Sequence, residues 1–133
     1  MYKRQVKDGA DVALVCTGTV LHKAIEAAEL LEKEGIHATV IDMHTVQPID
    51  KDLLVAAAKK TGAVVTVEEH SIRGGLGSAV AEVLAAECPT PMEFVGATDF
   101  AESGDYDELL EKYGYSGASI AEKCKAAIAK KNK

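Results

Sequence analysis

The stretch Val67-Glu68-Glu69-His70-Ser71-Ile72-Arg73-Gly74-Gly75-Leu76-Gly77-Ser78-Ala79-Val80 gathers two carboxylates, an imidazole, a guanidinium and three glycines. Two kinds of chemistry suit such a set. Carboxylates and histidine can transfer protons when burial shifts their pKa values. A glycine-rich turn that leaves a strand and opens a helix presents unbonded N–H groups to an anion. His70, Arg73, Gly74, Gly75 and Gly77 are therefore the candidate anion-binding turn. The glycine spacing is not the dinucleotide fingerprint, and the lysine of a phosphate-binding P-loop is missing. Glycines here also serve tight backbone geometry and close helix packing, and Glu68 with Glu69 would repel a phosphate. If the strand extends through both glutamates, their side chains point to opposite faces, which argues against a paired-carboxylate mechanism. No catalytic residue is assigned.

The other reactive side chains are dispersed. His22, His37 and His44 have no spacing that would put two imidazoles on one helical face, so no metal ligand is assigned. Cys16, Cys88 and Cys124 lie far apart and are odd in number, which suits reduced thiols better than a zinc site or a disulfide framework. Cys16, within an apolar run, reads as a small core residue.

The elements that must position these groups alternate along the chain. Residues 11–18 form a short apolar run that ends in a turn, as a strand covered on both faces would. Leu21, Ala24, Ala28 and Leu31 recur at helical spacing over 20–34, and Gly35 stands where a left-handed cap residue belongs. A strand at 38–43 follows. Pro48 to Asp50 then begins a helix carrying Leu53, Leu54, Ala57 and Ala58 on one face before Gly62. A strand at 63–67, the glycine turn, a helix over about 75–87, a break at Pro89-Thr90-Pro91 and a strand at 92–95 complete the alternation. Two helical pieces close the chain. One starts at Asp105 with Glu108 three residues on, a capping-box pattern, and the other runs from Ser116 or Ser119 to Lys130. Strands joined by helical crossovers pair in parallel. The expected fold is a three-layer α/β/α open, mostly parallel sheet of four or five strands with C-terminal helices. One domain accounts for residues 1–133, with 1–10 as a lead-in segment.

Composition narrows the partners. The chain has 133 residues, 47% hydrophobic and 27% charged, enough for one core. Its net charge of −6 argues against nucleic acid. Lys123, Lys125, Lys130, Lys131 and Lys133 are expected to complement a helix C-terminus and stay solvated. No apolar run approaches the roughly 18 residues of a membrane span, so no membrane partner is expected and a cytoplasmic location is. An aromatic content of 5% without Trp leaves few rings to sandwich a flavin, which disfavours an electron carrier.

Taken in order, Thr17-Gly18, Ala24-Ile25-Glu26-Ala27-Ala28-Glu29-Leu30-Leu31, Pro48-Ile49-Asp50, Thr66-Val67-Glu68-Glu69-His70, Gly74-Gly75-Leu76-Gly77-Ser78-Ala79-Val80 and Phe100-Ala101-Glu102-Ser103-Gly104 resemble the transketolase C-terminal domain. Tyr106-Asp107-Glu108-Leu109-Leu110-Glu111-Lys112-Tyr113-Gly114 extends the likeness. The same domain type closes 1-deoxyxylulose-5-phosphate synthases and the β subunits of pyruvate dehydrogenase; Glu69-His70 and Glu102-Ser103-Gly104 favour transketolase.

The resemblance implies a non-catalytic domain that contributes to assembly and to a dimer interface. In the full enzyme, thiamine diphosphate and its Mg or Ca ion would be held by the pyrophosphate- and pyrimidine-binding domains. Those two domains are the implied partners, beside a second copy in a homodimer. Their Gly-Asp-Gly motif and activating glutamate are not in this sequence, so no cofactor is expected on this domain alone and isolated activity is not expected. Tyr2-Lys3-Arg4-Gln5-Val6 resembles the link from the preceding domain, as in an excised piece, with a naturally short product of a split enzyme as the alternative. Two other readings stay open: a regulatory module binding a small anion or nucleotide at the glycine turn, and the equivalent domain of a 1-deoxyxylulose-5-phosphate synthase.

Overall fold

Val12–Cys16 is apolar at every position, and each of its five residues is fully buried. Only a strand flanked by layers on both faces can do this, because successive side chains alternate between them. The computed structural model describes residues 3–17, 20–43, 49–71, 75–97 and 116–131; for 3–5, 69–71 and 97 the backbone alone is described. In chain order the elements are β1 (Lys3–Lys7), β2 (Val12–Cys16), α1 (Leu21–Glu32), β3 (Ala38–Met43), α2 (Lys51–Thr61), β4 (Val64–Ser71), α3 (Leu76–Glu87), β5 (Met92–Ala97) and α4 (Gly117–Lys131). The helix expected to start at Asp105 lies outside the described residues.

The five strands form one sheet in the order β1-β3-β2-β4-β5. β3, β2, β4 and β5 are parallel, with Val12 opposite Ala38, Ala13 opposite Val64 and Thr66 opposite Phe94. This is the expected three-layer α/β/α arrangement. β1, inside the segment read as a lead-in, pairs antiparallel along the outer edge of β3. Its sequence Lys-Arg-Gln-Val-Lys has charged residues in place of an apolar run, as suits an edge strand, and so it carries little strand signal.

Each face of the sheet has its own core. Val12, Leu14, Cys16, Val40, Val65 and Val67 pack against Ala24, Ala27, Ala28 and Leu31 of α1 and Ile120, Ala121, Cys124 and Ala127 of α4. Ala13, Val15, Ile41, Met43 and Val64 face Leu54, Ala57 and Ala58 of α2 and Leu76, Val80, Val83 and Leu84 of α3. Burying one Val or Leu side chain contributes about 1.5–3 kcal/mol. The alanine stripes let the helices come close.

The helix ends follow their capping residues. The Asp50 carboxylate accepts the Leu53 N–H at 3.0 Å, starting α2. Gly62 ends it in the left-handed conformation at φ 73°, and Gly35 turns the chain after α1 at φ 78°. Ser116 Oγ accepts the Ser119 N–H at 3.1 Å at the start of α4.

Candidate functional site

β2 leads through α1 to β3 on one side, whereas β4 leads through α3 to β5 on the other. The switch point of the sheet therefore falls between the carboxyl ends of β2 and β4, where open α/β sheets take ligands. There the Thr17 N–H donates to the Val67 carbonyl at 3.3 Å, and the next residue is Glu68.

Val65 and Val67 belong to the α1/α4 core, so Thr66 and Glu68 turn to the α2/α3 face. Glu68 is only 1% exposed. Its Oε1 accepts the Leu76 N–H at 2.8 Å and its Oε2 the Gly77 N–H at 2.7 Å. Helix α3 begins at Gly75, which has no side chain to cap it, so the capping group comes from the adjoining strand. The carboxylate meets the positive end of the helix dipole through two charge-assisted bonds. Gly77 makes the approach close: a Cβ there would lie 2.8 Å from Phe94 Cδ1, 3.0 Å from Thr66 Oγ1 and 3.3 Å from Glu68 Oε2. Thr66 Oγ1, fully buried beside it, has no hydrogen-bond partner among the described residues.

Of the expected anion-binding turn, Gly75 is the N-cap of α3 and Gly77 lies in its first turn. His70 is in β4, its side chain not described, and Arg73 and Gly74 lie outside the described residues. Sequence reasoning took Glu68 for a charge that repels phosphate and missed that it also caps α3. The available signal was an acidic residue at the end of a strand, followed by a helix whose cap position is glycine.

The remaining reactive groups do not converge on this crevice. His22 and His37 are exposed, on α1 and just before β3, and His44 lies outside the described residues. Among the described residues, no group of three or more His, Cys, Asp and Glu side chains is placed to hold a metal ion. Cys16 Sγ donates to the Ile41 carbonyl at 3.5 Å, and burial, with the charge of Asp42 beside it, pushes its thiol up to about 12. Burial pushes Cys124 up to about 12 as well. Both are inert core thiols.

Of the lysines expected at a helix C-terminus, Lys130 and Lys131 stand in the last turn of α4, and Lys133 lies outside the described residues. The four described ones keep partly exposed side chains and also make contacts of their own. Lys131 Nζ donates to the carbonyls of Asp11 and Thr61, each at 2.7 Å, and Lys130 Nζ to that of Met92 at 2.9 Å. Lys130 also pairs with Glu93, and its hydrogen bond holds that carboxyl below the usual range. Lys125 pairs with Glu34 at 2.8 Å and Lys123 with Glu93 at 3.4 Å. The reason is geometric: the ends of helices and the amino edge of the sheet leave carbonyls without internal donors.

Fold and site thus define an open α/β domain whose switch-point helix end is filled by its own glutamate. The chain belongs to the family described as transketolase, C-terminal domain, whose model matches residues 2–120. Among curated proteins it is 43% identical to the 6-deoxy-6-sulfo-D-fructose transketolase subunit SqwH of Clostridium sp. (strain MSTE9), over 96% of this chain and 40% of that protein. It is 40% identical to a 1-deoxy-D-xylulose-5-phosphate synthase of Heliobacterium modesticaldum, over 87% of this chain and 18% of that one. Among solved structures, a split gene transketolase described as an inactive β4 tetramer superposes with TM-score 0.92 at 48% identity, over 96% of this chain and 42% of that one. A transketolase of Pichia stipitis shares the fold at TM-score 0.72 and 19% identity. The chain spans about two fifths of the length of the sulfofructose transketolase subunit, and less of the synthase.

Proposed function

We propose that this chain is the non-catalytic C-terminal domain of a transketolase, shaping assembly and a subunit interface in an enzyme that moves a two-carbon ketol unit between sugar phosphates. One observation carries the reading. The chain aligns over 96% of its own length with transketolase subunits of which it covers only 40–42%, so the larger part of such a subunit lies outside it. The internal pairing of Glu68 with α3 also supports it, because at the switch point, among the described residues, this carboxylate is spent on the protein's own helix.

Thiamine diphosphate and Mg or Ca would then be bound by the pyrophosphate- and pyrimidine-binding domains. A tetrameric structural relative supports self-association, and three free cysteines suit the cytoplasm. The test is to mix the 133-residue chain with the missing domains and assay ketol transfer. Activity should need both. Turnover by the chain alone would overturn the proposal. Sedimentation across a concentration series reads the self-association separately.

The 40% identity to a 1-deoxy-D-xylulose-5-phosphate synthase supports a second reading, the equivalent domain of such an enzyme. Exchanging this chain into a transketolase and into a synthase discriminates the two. The host that keeps its activity identifies the parent.

A further inference from the structure

Helix α3 has what an external oxyanion seeks: a glycine start, backbone amides that point out of the first turn, and a place at the switch point of a parallel sheet. The amides of Leu76 and Gly77 are already bonded, one to each oxygen of a single buried carboxylate. We infer that Glu68 is a resident anion that closes this helix end to phosphate and other external oxyanions, making it a specificity-determining residue for what the crevice refuses. The inference stands independently of the transketolase reading.

A phosphate cannot reach these two amides from the inner side of the turn, where a methyl carbon added at Gly77 would already lie 2.8 Å from Phe94 Cδ1 and 3.0 Å from Thr66 Oγ1. Nor can it share the amides, since a second negative charge in a site from which water is excluded is repelled by the first. Glu68 lies within β4, directly after Val67, which pairs with Cys16 of β2 and Val95 of β5, so the carboxylate is delivered from the sheet. With 1% exposure, the Glu68 carboxylate occupies two of the first-turn amides and withholds them from a solute.

The test follows the backbone amides of Leu76 and Gly77 by NMR in the 133-residue chain, its Glu68→Ala variant and its Glu68→Gln variant. Inorganic phosphate is added to the unaltered chain and formate, a carboxylate small enough for the vacated space, to both variants. In the unaltered chain neither amide should move with phosphate. In Glu68→Ala, hydrogen-exchange protection at the two amides should fall roughly tenfold, the loss of a charged cap, and formate should restore it saturably. Glu68→Gln keeps the shape without the charge, so both amide protons should shift upfield and formate should not return them. Phosphate-dependent movement in the unaltered chain overturns the inference, as does a folded Glu68→Ala in which the two amides are unchanged or formate has no effect. If Glu68→Ala does not fold, unshifted amides in Glu68→Gln overturn it equally.

Discussion

The ammonium of Lys131, at the end of α4, donates to the carbonyl of Thr61, the last residue of α2, at 2.7 Å. The two helices cover opposite faces of the sheet, so one side chain crosses its amino edge and joins the outer layers. The same nitrogen holds the Asp11 carbonyl just before β2.

Replacing Lys131 by Met keeps the aliphatic stem and removes both bonds. We expect a loss of about 1–2 kcal/mol, read as a lower urea midpoint with an unchanged slope. An unchanged midpoint would show that the clamp contributes nothing net.

Two glycines should fail for different reasons. Gly77→Ala forces a Cβ against Phe94 and Thr66 and should cost about 1–3 kcal/mol, as overpacking does. Gly35→Ala meets no atom within 4 Å, but its φ of +78° penalises any Cβ by about 1–2 kcal/mol. Asn, which tolerates the left-handed region, should recover part of the loss at 35 and none at 77. Denaturation of the four variants checks this ordering.

Thr66→Val removes a buried hydroxyl that lacks a partner among the described residues while keeping the shape. Stability should stay within about 1 kcal/mol or rise, because a paired hydroxyl loses a bond and an unpaired one does not. A loss well beyond that would reveal an unseen partner.

The buried thiols set an alkaline limit. Cys16 and Cys124 are pushed up to about 12 from an ordinary 9.0, so between those values the unfolded chain releases protons that the native one retains. Stability is therefore undiminished below pH 9 and falls as pH rises towards 12. Melting across this range should show a shallower decline in Cys124→Ala. At neutral pH iodoacetamide should label Cys88, which is partly exposed, well ahead of the other two.

What the sequence revealed depended on whether a residue acts locally. Asp50, Gly35 and Gly62 do their work within a turn of where they stand, and each marked a helix boundary within a residue or two. The apolar runs at 12–16 and 38–43 announced buried parallel strands for the same reason. β1 was hidden because an edge strand needs no apolar run. The partners of Glu68, Lys130 and Lys131 were not legible because they are set by the fold: the nearest lies eight residues away and the farthest 120. A charge at a strand or helix end carries no local sign of the backbone group it will meet.

The Lys131 clamp also bears on synthesis. Its contact with Asp11 spans 120 positions, and α4 supplies one side of a core whose other side is built from strands near the start of the chain. A nascent chain that has not yet released residues 117–131 can pair strands but cannot complete the core on the α1 face, so apolar surface stays open until α4 emerges from the ribosome. Folding of this domain should thus wait for α4, and the waiting chain is the species that chaperones meet.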